Sequence, residues 1–201
     1  FVELLPAQQR VNAGWYQGTA DAVFQNLDIL QRHGPQFVLI LAGDHVYKMR
    51  YDELVGFHRA KGADVTVGLA EVAWEGASRF GLVVLDENDA VVGFEEKPPV
   101  PRGRLASMGI YVFSPGVLSQ VLEEDARKIG SSHDFGRDIL PAMVAHHYRV
   151  FGYRFRGYWR DVGTVDSYWE ANMEFLEEPP PMDLDSGEER IRTLPQGRPP
   201  A

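Results

Sequence analysis

Six consecutive apolar residues, Phe37-Val38-Leu39-Ile40-Leu41-Ala42, run into Gly43-Asp44-His45 without a polar break. A run this short cannot be a core helix, and apolar character on both faces is what a strand shows when helices cover its sheet on both sides. The run therefore predicts a buried strand of an α/β sheet built mostly of parallel strands. In open sheets of that kind ligands lie beyond the carboxyl ends of the strands, which points Asp44 at the ligand crevice. With Gly43 allowing close backbone approach, a carboxylate there suits a divalent metal carrying phosphate oxygens. Asp44 would serve equally as a cap on the next turn or helix, and both readings stand.

The flanking segments continue an α/β rhythm. Gly18 and Thr19 turn into a predicted helix through Gln25, Leu27, Ile29 and Leu30, with Thr19 as N-cap and Asp21 in the first turn. The N–H groups at such a helix start could face a base or a phosphate, or simply be capped. Tyr51 to Lys61 has helical spacing and ends at Gly62, and Ala63 to Leu69 reads as the next strand. His58 on that helix has no partner His or Cys at ligand spacing, so it reads as a surface or core-edge residue, and His146-His147 likewise. Phe80 to Leu85 and Val91 to Lys97 flank an Asp86-Glu87-Asn88-Asp89 turn, which predicts a β-hairpin.

The second hairpin strand ends at Glu96-Lys97-Pro98. Glu96 can accept from sugar hydroxyls and Lys97 can bind a phosphate, although adjacent Glu and Lys also form ordinary solvated pairs. A further strand covers Ala106 to Phe113, helices are read at Val117-Leu118-Val121-Leu122 and after Ser131 to Gly136, and Val150 to Phe155 forms a strand delivering Tyr158-Trp159-Arg160-Asp161. Asp161, in an aromatic turn before a helix from Val165 to Leu176, is the natural second carboxylate for Asp44, since Mg²⁺ binds a couple of carboxylates together with substrate phosphates and water. Pairing with Arg160 or helix capping is the alternative for Asp161.

Composition narrows the function classes. The 201 residues, 44% hydrophobic, can bury a sizeable core. A net charge of −9 argues against a nucleic-acid backbone as partner. No cysteine is present, so disulfides and thiolate metal sites are excluded and a cytoplasmic location is favoured. No apolar stretch approaches a membrane span of about 18 residues.

Taken together, Trp15-Tyr16-Gln17-Gly18-Thr19-Ala20-Asp21-Ala22, Ala42-Gly43-Asp44-His45, Glu96-Lys97-Pro98, Ala106-Ser107-Met108-Gly109-Ile110-Tyr111, Ser132-His133-Asp134-Phe135-Gly136 and Tyr158-Trp159-Arg160-Asp161-Val162-Gly163-Thr164 resemble the bacterial ADP-glucose pyrophosphorylases, the glucose-1-phosphate adenylyltransferases of the sugar nucleotidyltransferase superfamily. The resemblance runs from Phe1 to about Arg192. It implies a Rossmann-like nucleotidyltransferase domain, a mostly parallel mixed sheet with helices on both faces, over residues 1–178, followed by a linker over 179–201. It implies Mg²⁺ held by Asp44 and Asp161 and the phosphate of glucose 1-phosphate held by Lys97, these three being the catalytic residues. Tyr16, Gly81, Glu96 and Ser107 would surround the sugar phosphate, and Gly18, Thr19 and Ala20 would lie near the adenine of ATP. The implied reaction gives ADP-glucose and pyrophosphate for glycogen or another α-glucan, in a cytoplasmic enzyme that is a homotetramer when full length.

Two features of that family lie outside the match. The family opens with a Gly-rich loop carrying an Arg, and closes with a left-handed β-helix domain used in assembly and allosteric control. A chain opening on Phe1 without either is expected to be the middle of a longer protein, incomplete at the N-terminus and inactive alone. Two alternatives remain: a non-catalytic regulatory subunit of the same lineage, against which intact Asp44, Lys97 and Asp161 argue, and a relative using another nucleotide or sugar.

Overall fold

The computed structural model describes residues 2, 4, 5 and 15–184. The linker expected at 179–201 therefore lies mostly outside the described residues. The chain packs as two units, one made of Phe1–Ala42 and Asp52–Phe155, the other of Gly43–Tyr51 and Arg156–Ala201.

The first unit is an α/β layer structure. Its helices are α1 (Thr19–Phe24), α2 (Leu27–His33), α3 (Tyr51–Lys61, whose first residue belongs to the second unit), α4 (Pro115–Ala126) and α5 (Leu140–Ala145). Its strands are β1 (Val38–Ile40), β3 (Val65–Glu71), β4 (Gly81–Leu85), β5 (Val91–Glu96), β6 (Leu105–Phe113) and β7 (Val150–Arg154). They form one six-stranded sheet in the order β5-β4-β6-β3-β7, with β1 also paired to β6.

The sheet is mixed, as expected, but its neighbours are mostly antiparallel. Only β3 and β7 pair in parallel, whereas β6 pairs antiparallel with β1, β3 and β4. Strands β1, β3, β4 and β7 do run in one direction, as the α/β rhythm requires. The reason they are not neighbours throughout is that β6, read from sequence as one more strand, inserts between β1 and β3 in the opposite sense. The hairpin of β4 and β5 forms as predicted, with Gly81 opposite Glu96.

Strand pleating distributes the core. Val65, Val67 and Leu69 of β3 face a cluster containing Leu118 and Leu122 of α4 and Leu140 and Met143 of α5, while Thr66, on the opposite face, meets His58 of α3. Helices therefore cover both faces, and β3 is buried along Val65 to Ala70 instead of alternating. His58 is 1% exposed, its Nδ1 2.9 Å from Thr66 Oγ1, so it is a core residue and not an edge one.

The helix expected to run on from Thr19 is broken into α1 and α2 at Gln25-Asn26. Asn26 Nδ2 donates to Ala22 O and to the Tyr16 hydroxyl, offering the backbone a local alternative to helix at the junction. Along β6 the register against β3 jumps from Tyr111 opposite Val67 to Ser107 opposite Leu69, a bulge centred on Gly109, whose φ of 66° suits glycine.

The second unit holds a two-stranded antiparallel ribbon, β2 (His45–Tyr47) against β8 (Trp159–Asp161), followed by α6 (Val165–Glu174). Helix α6 opens with a capping box, in which Thr164 Oγ1 accepts from Ser167 N and Thr164 N donates to Ser167 Oγ. Among the described residues no helix is long and apolar enough to cross a membrane.

Candidate functional site

In the first unit the carboxylate of Glu96, at the end of β5, lies against Gly81, Gly136 and Lys97. Two glycines make its place. A Cβ on Gly81 would lie 2.7 Å from Glu96 Oε2, and one on Gly136 would lie 2.6 Å from the same atom. Burial pushes the Glu96 carboxyl above its ordinary range, and the negative charge of Asp134 adds to this, while Lys97 and Arg137 oppose it. Lys97 follows directly in a left-handed conformation, φ 45°, that non-glycine residues seldom adopt. Its side chain stays 62% exposed with Nζ 3.9 Å from Glu96 Oε1, so the ammonium is available to an anion.

Ser107 and Tyr111 of β6 complete this edge of the cluster. Burial pushes the Tyr111 phenol up to about 12; the Ser107 hydroxyl opposes the shift, and Asp134 and Glu96 add to it. Tyr111 is thus a neutral hydroxyl beside two carboxylates.

Asp134 links the cluster to the start of α1. Its Oδ1 accepts from Gly136 N and Arg137 N, capping a π-helical turn at Phe135–Ile139, and its Oδ2 accepts from the Thr19 hydroxyl. Thr19 Oγ1 in turn accepts from Phe135 N. Thr19 is therefore not the N-cap it was read as; Gly18 occupies that position without a side-chain cap. The N–H groups of Ala20 and Asp21 donate to His133 O, so these two are committed to the protein and not open to a ligand. Gly18 is needed for close approach, since a Cβ there would lie 2.3 Å from His133 O.

The loop that receives them is itself anchored. His133 Nδ1 lies 2.6 Å from Asp125 Oδ2, and Ser131 Oγ donates to Asp125 Oδ1. Ala20 is buried in the core. Tyr16, expected beside the sugar phosphate, has its hydroxyl at the α1–α2 junction, accepting from Asn26.

The second unit carries Asp44 and Asp161. In the ribbon His45 stands opposite Asp161, and Val162 N donates to Asp44 O across it. Gly163 N donates to Asp161 Oδ1 at 2.9 Å and orients that carboxylate. A Cβ on Gly163 would lie 3.0 Å from Asp161 Oδ1 and 3.6 Å from Asp44 Oδ2, so glycine keeps the space between the two acids open. One ligand atom each from Asp44, His45 and Asp161 falls within 4.8 Å of the others. Carboxylate oxygens of this kind are the donors a divalent cation such as Mg²⁺ takes. The two acids were legible in sequence as partners. His45, Asp134, Tyr111 and Gly136 were not singled out, although all four lie inside the motifs that carried the resemblance.

Residues 2–178 match the family described as nucleotidyl transferase. The chain is 51% identical over 218 residues to a glucose-1-phosphate adenylyltransferase of Methylobacillus flagellatus, covering 100% of this chain and 51% of the relative. It is 47% identical over 197 residues to one from Halalkalibacterium halodurans, covering 98% of this chain and 51% of the relative. A third, from Nitrosococcus oceani, is 48% identical over 215 residues, again with 100% of this chain and 51% of the relative covered. The chain thus spans about half the length of the curated relatives it matches.

Proposed function

Because this chain belongs to the nucleotidyl transferase family, we propose that it forms the substrate-holding part of a glucose-1-phosphate adenylyltransferase. A phosphate oxygen of α-D-glucose 1-phosphate attacks the α-phosphorus of ATP, the bond from that phosphorus to the bridging oxygen breaks, and pyrophosphate leaves as ADP-glucose forms. The observation that carries the reading is the Glu96 slot, a carboxylate seated between Gly81 and Gly136 with the exposed Lys97 ammonium beside it. Relatives named as glucose-1-phosphate adenylyltransferases, at 47 to 51% identity, support the choice of sugar and nucleotide.

The chain's own groups would act by position and charge, since phosphoryl chemistry asks little covalent work of the protein. Lys97 holds the sugar phosphate as a point charge. Glu96 accepts from the glucose hydroxyls, and Ser107, with Tyr111 beside it, supplies neutral hydroxyls nearby. Tyr16 and Gly81 contribute to the wall of the sugar site, and Gly18 and Thr19 to the seat of the adenine. Asp44 and Asp161 would hold Mg²⁺, which when bound supplies positive charge to phosphate oxygens. The full-length protein is taken as a cytoplasmic homotetramer, a state that light scattering would check.

Pyrophosphate release with glucose 1-phosphate and Mg²⁺, compared across ATP, UTP, dTTP and GTP in the full-length protein, tests the proposal. ATP should lead by at least about 100-fold, the discrimination a site built around one base can reach. A preference for another nucleotide would reassign the enzyme. Binding of both substrates without release would make the chain a regulatory subunit.

A further inference from the structure

Between the end of α4 and the π-helical turn, four residues of the first unit border both proposed substrate seats. The carbonyl of His133 accepts from Ala20 N at 2.8 Å and from Asp21 N at 3.3 Å, which fixes where α1 starts beside Gly18 and Thr19. One residue on, Asp134 accepts from Gly136 N with Oδ1 and from the Thr19 hydroxyl with Oδ2. Gly136 in turn stands directly against the Glu96 carboxylate. His133 to Gly136 is therefore one wall shared by the adenine seat and the sugar slot.

The backbone of that wall is held against its own preference. His133 has φ 54°, a left-handed conformation that few residues other than glycine adopt, and a return to the ordinary regions would swing its carbonyl away from α1. Side chains supply the restraint. His133 Nδ1 lies 2.6 Å from Asp125 Oδ2, the imidazole being 14% exposed and the carboxylate 9% exposed. The other Asp125 oxygen accepts from the Ser131 hydroxyl at 2.7 Å, and Ser131 Oγ accepts from His133 N at 3.0 Å. Asp125 belongs to α4, whose Leu118, Val121 and Leu122 are seated in the core, so the tie runs from the shared wall to a rigid element. Phe135, 2% exposed, anchors the other end of the wall.

We infer that His133, tied to Asp125, is a positioning residue for both substrates at once. Its ring is engaged by Asp125, while its carbonyl and the Asp134 that follows set the Gly18-Thr19 turn and the Glu96 slot in register with each other. The inference rests on the assignment of those two places to ATP and glucose 1-phosphate. Lys97 serves a single substrate and so differs in kind: loss of the His133–Asp125 tie weakens both.

Steady-state kinetics of the full-length protein, with KM measured for each substrate, tests this. Asp125→Ala leaves the left-handed residue itself unaltered and should raise KM for ATP and for glucose 1-phosphate together, each by about 10-fold, within the roughly 100-fold that a small misplacement can cost. His133→Leu should do the same. His133→Asn puts an amide N–H near the place of Nδ1 and tolerates the left-handed backbone, so both KM values should stay within about 3-fold of the parent. A lower melting temperature or kcat with both KM values unchanged would make the tie structural only and overturn the inference. A rise in one KM alone, or an asparagine variant as weak as the leucine one, would overturn it as well.

Ser131→Ala removes one hydroxyl from the tie and covers the case in which Asp125→Ala does not fold; both KM values should rise by a common factor of about 3. Hydrogen exchange without substrate reads the tie directly. The amides of Ala20 and Asp21, which donate to His133 O, should exchange about 3-fold faster in Ser131→Ala and about 10-fold faster in Asp125→Ala than in the parent. Exchange that stays at the parent rate would show that the tie does not hold α1, and the inference would fall. A parent that binds neither ATP nor glucose 1-phosphate would instead sink the assignment of the two seats, and the exchange rates would still judge the His133–Asp125 tie.

Discussion

A methyl group on residue 136 would meet little except the end of one side chain. It would stand 2.6 Å from Glu96 Oε2, 3.2 Å from its Cδ and 3.4 Å from Asp134 Oδ1. Because Glu96 can rotate away, Gly136→Ala should disturb the sugar site and spare the fold. Losing an acceptor that is a charged group is worth about 1.5–3 kcal/mol, so binding of glucose 1-phosphate should weaken by roughly 10- to 100-fold. The shift in melting temperature should be a few degrees at most, as for about 1 kcal/mol in a domain of this size. Calorimetric titration beside a thermal melt checks this, and normal sugar phosphate binding in a variant that has lost stability would place Gly136 in packing alone. The slot also shows what one residue can reveal in sequence. Glu96 and Lys97 are adjacent and were legible together, while Gly81, opposite Glu96 on the same hairpin, came only through the resemblance. Gly136 arrives from a loop forty positions away, and nothing local ties it to Glu96.

Elements were legible where the signal is local, and misjudged where a distant element intervenes. The β4–β5 hairpin, α3, α4 and α6 follow from turn residues and helical spacing. The antiparallel placement of β6 does not, since no pattern within Leu105 to Phe113 states which strands will flank it. Nor does the sequence of α3 announce that His58 will be sealed between α3 and β3, with Nδ1 on Thr66 and Nε2 3.4 Å from Ser114 Oγ. Burial holds the His58 pKa below its ordinary 6.5; Asp64 opposes the shift and the Arg149 cation adds to it. A base whose folded-state pKa is lowered stays uncharged in the fold. The stability it lends is whole above pH 6.5 and is lost as pH falls from there through the lower folded value. Urea melts at pH 8, 7, 6 and 5 should therefore show the parent weakening across this window. His58→Leu should be weaker at pH 8 by about 1–3 kcal/mol, because the buried Thr66 hydroxyl loses its partner, and flatter below pH 7. Equal slopes in the two proteins would mean that another group governs the acid sensitivity.

At the scale of the molecule, sequence divides the chain at residue 178, whereas packing draws Gly43–Tyr51 into the unit formed from Arg156 onward. A nine-residue segment between β1 and α3 carries too little composition to announce that it belongs elsewhere. The consequence is a division of labour. Asp44, His45 and Asp161 belong wholly to the second unit, while Lys97, Glu96, Ser107 and Asp134 belong wholly to the first. Substitutions that act on separate ligands through separate contacts should add, and those sharing one ligand should not. Asp44→Asn should therefore weaken Mn²⁺ by at least about 10-fold and leave metal-free binding of glucose 1-phosphate as it was. Lys97→Gln should do the reverse, weakening the sugar phosphate and sparing Mn²⁺. In turnover each should cost on the order of 10²-fold, as removal of one preorganised charge does. Asp44→Asn combined with Asp161→Asn should fall short of the sum of the two single losses, since both act through one ion. The outcome that would sink the division is a Lys97→Gln protein that has lost Mn²⁺ affinity in the absence of any substrate. Such a result would make the ammonium part of the cation site and would take the sugar phosphate away from Lys97.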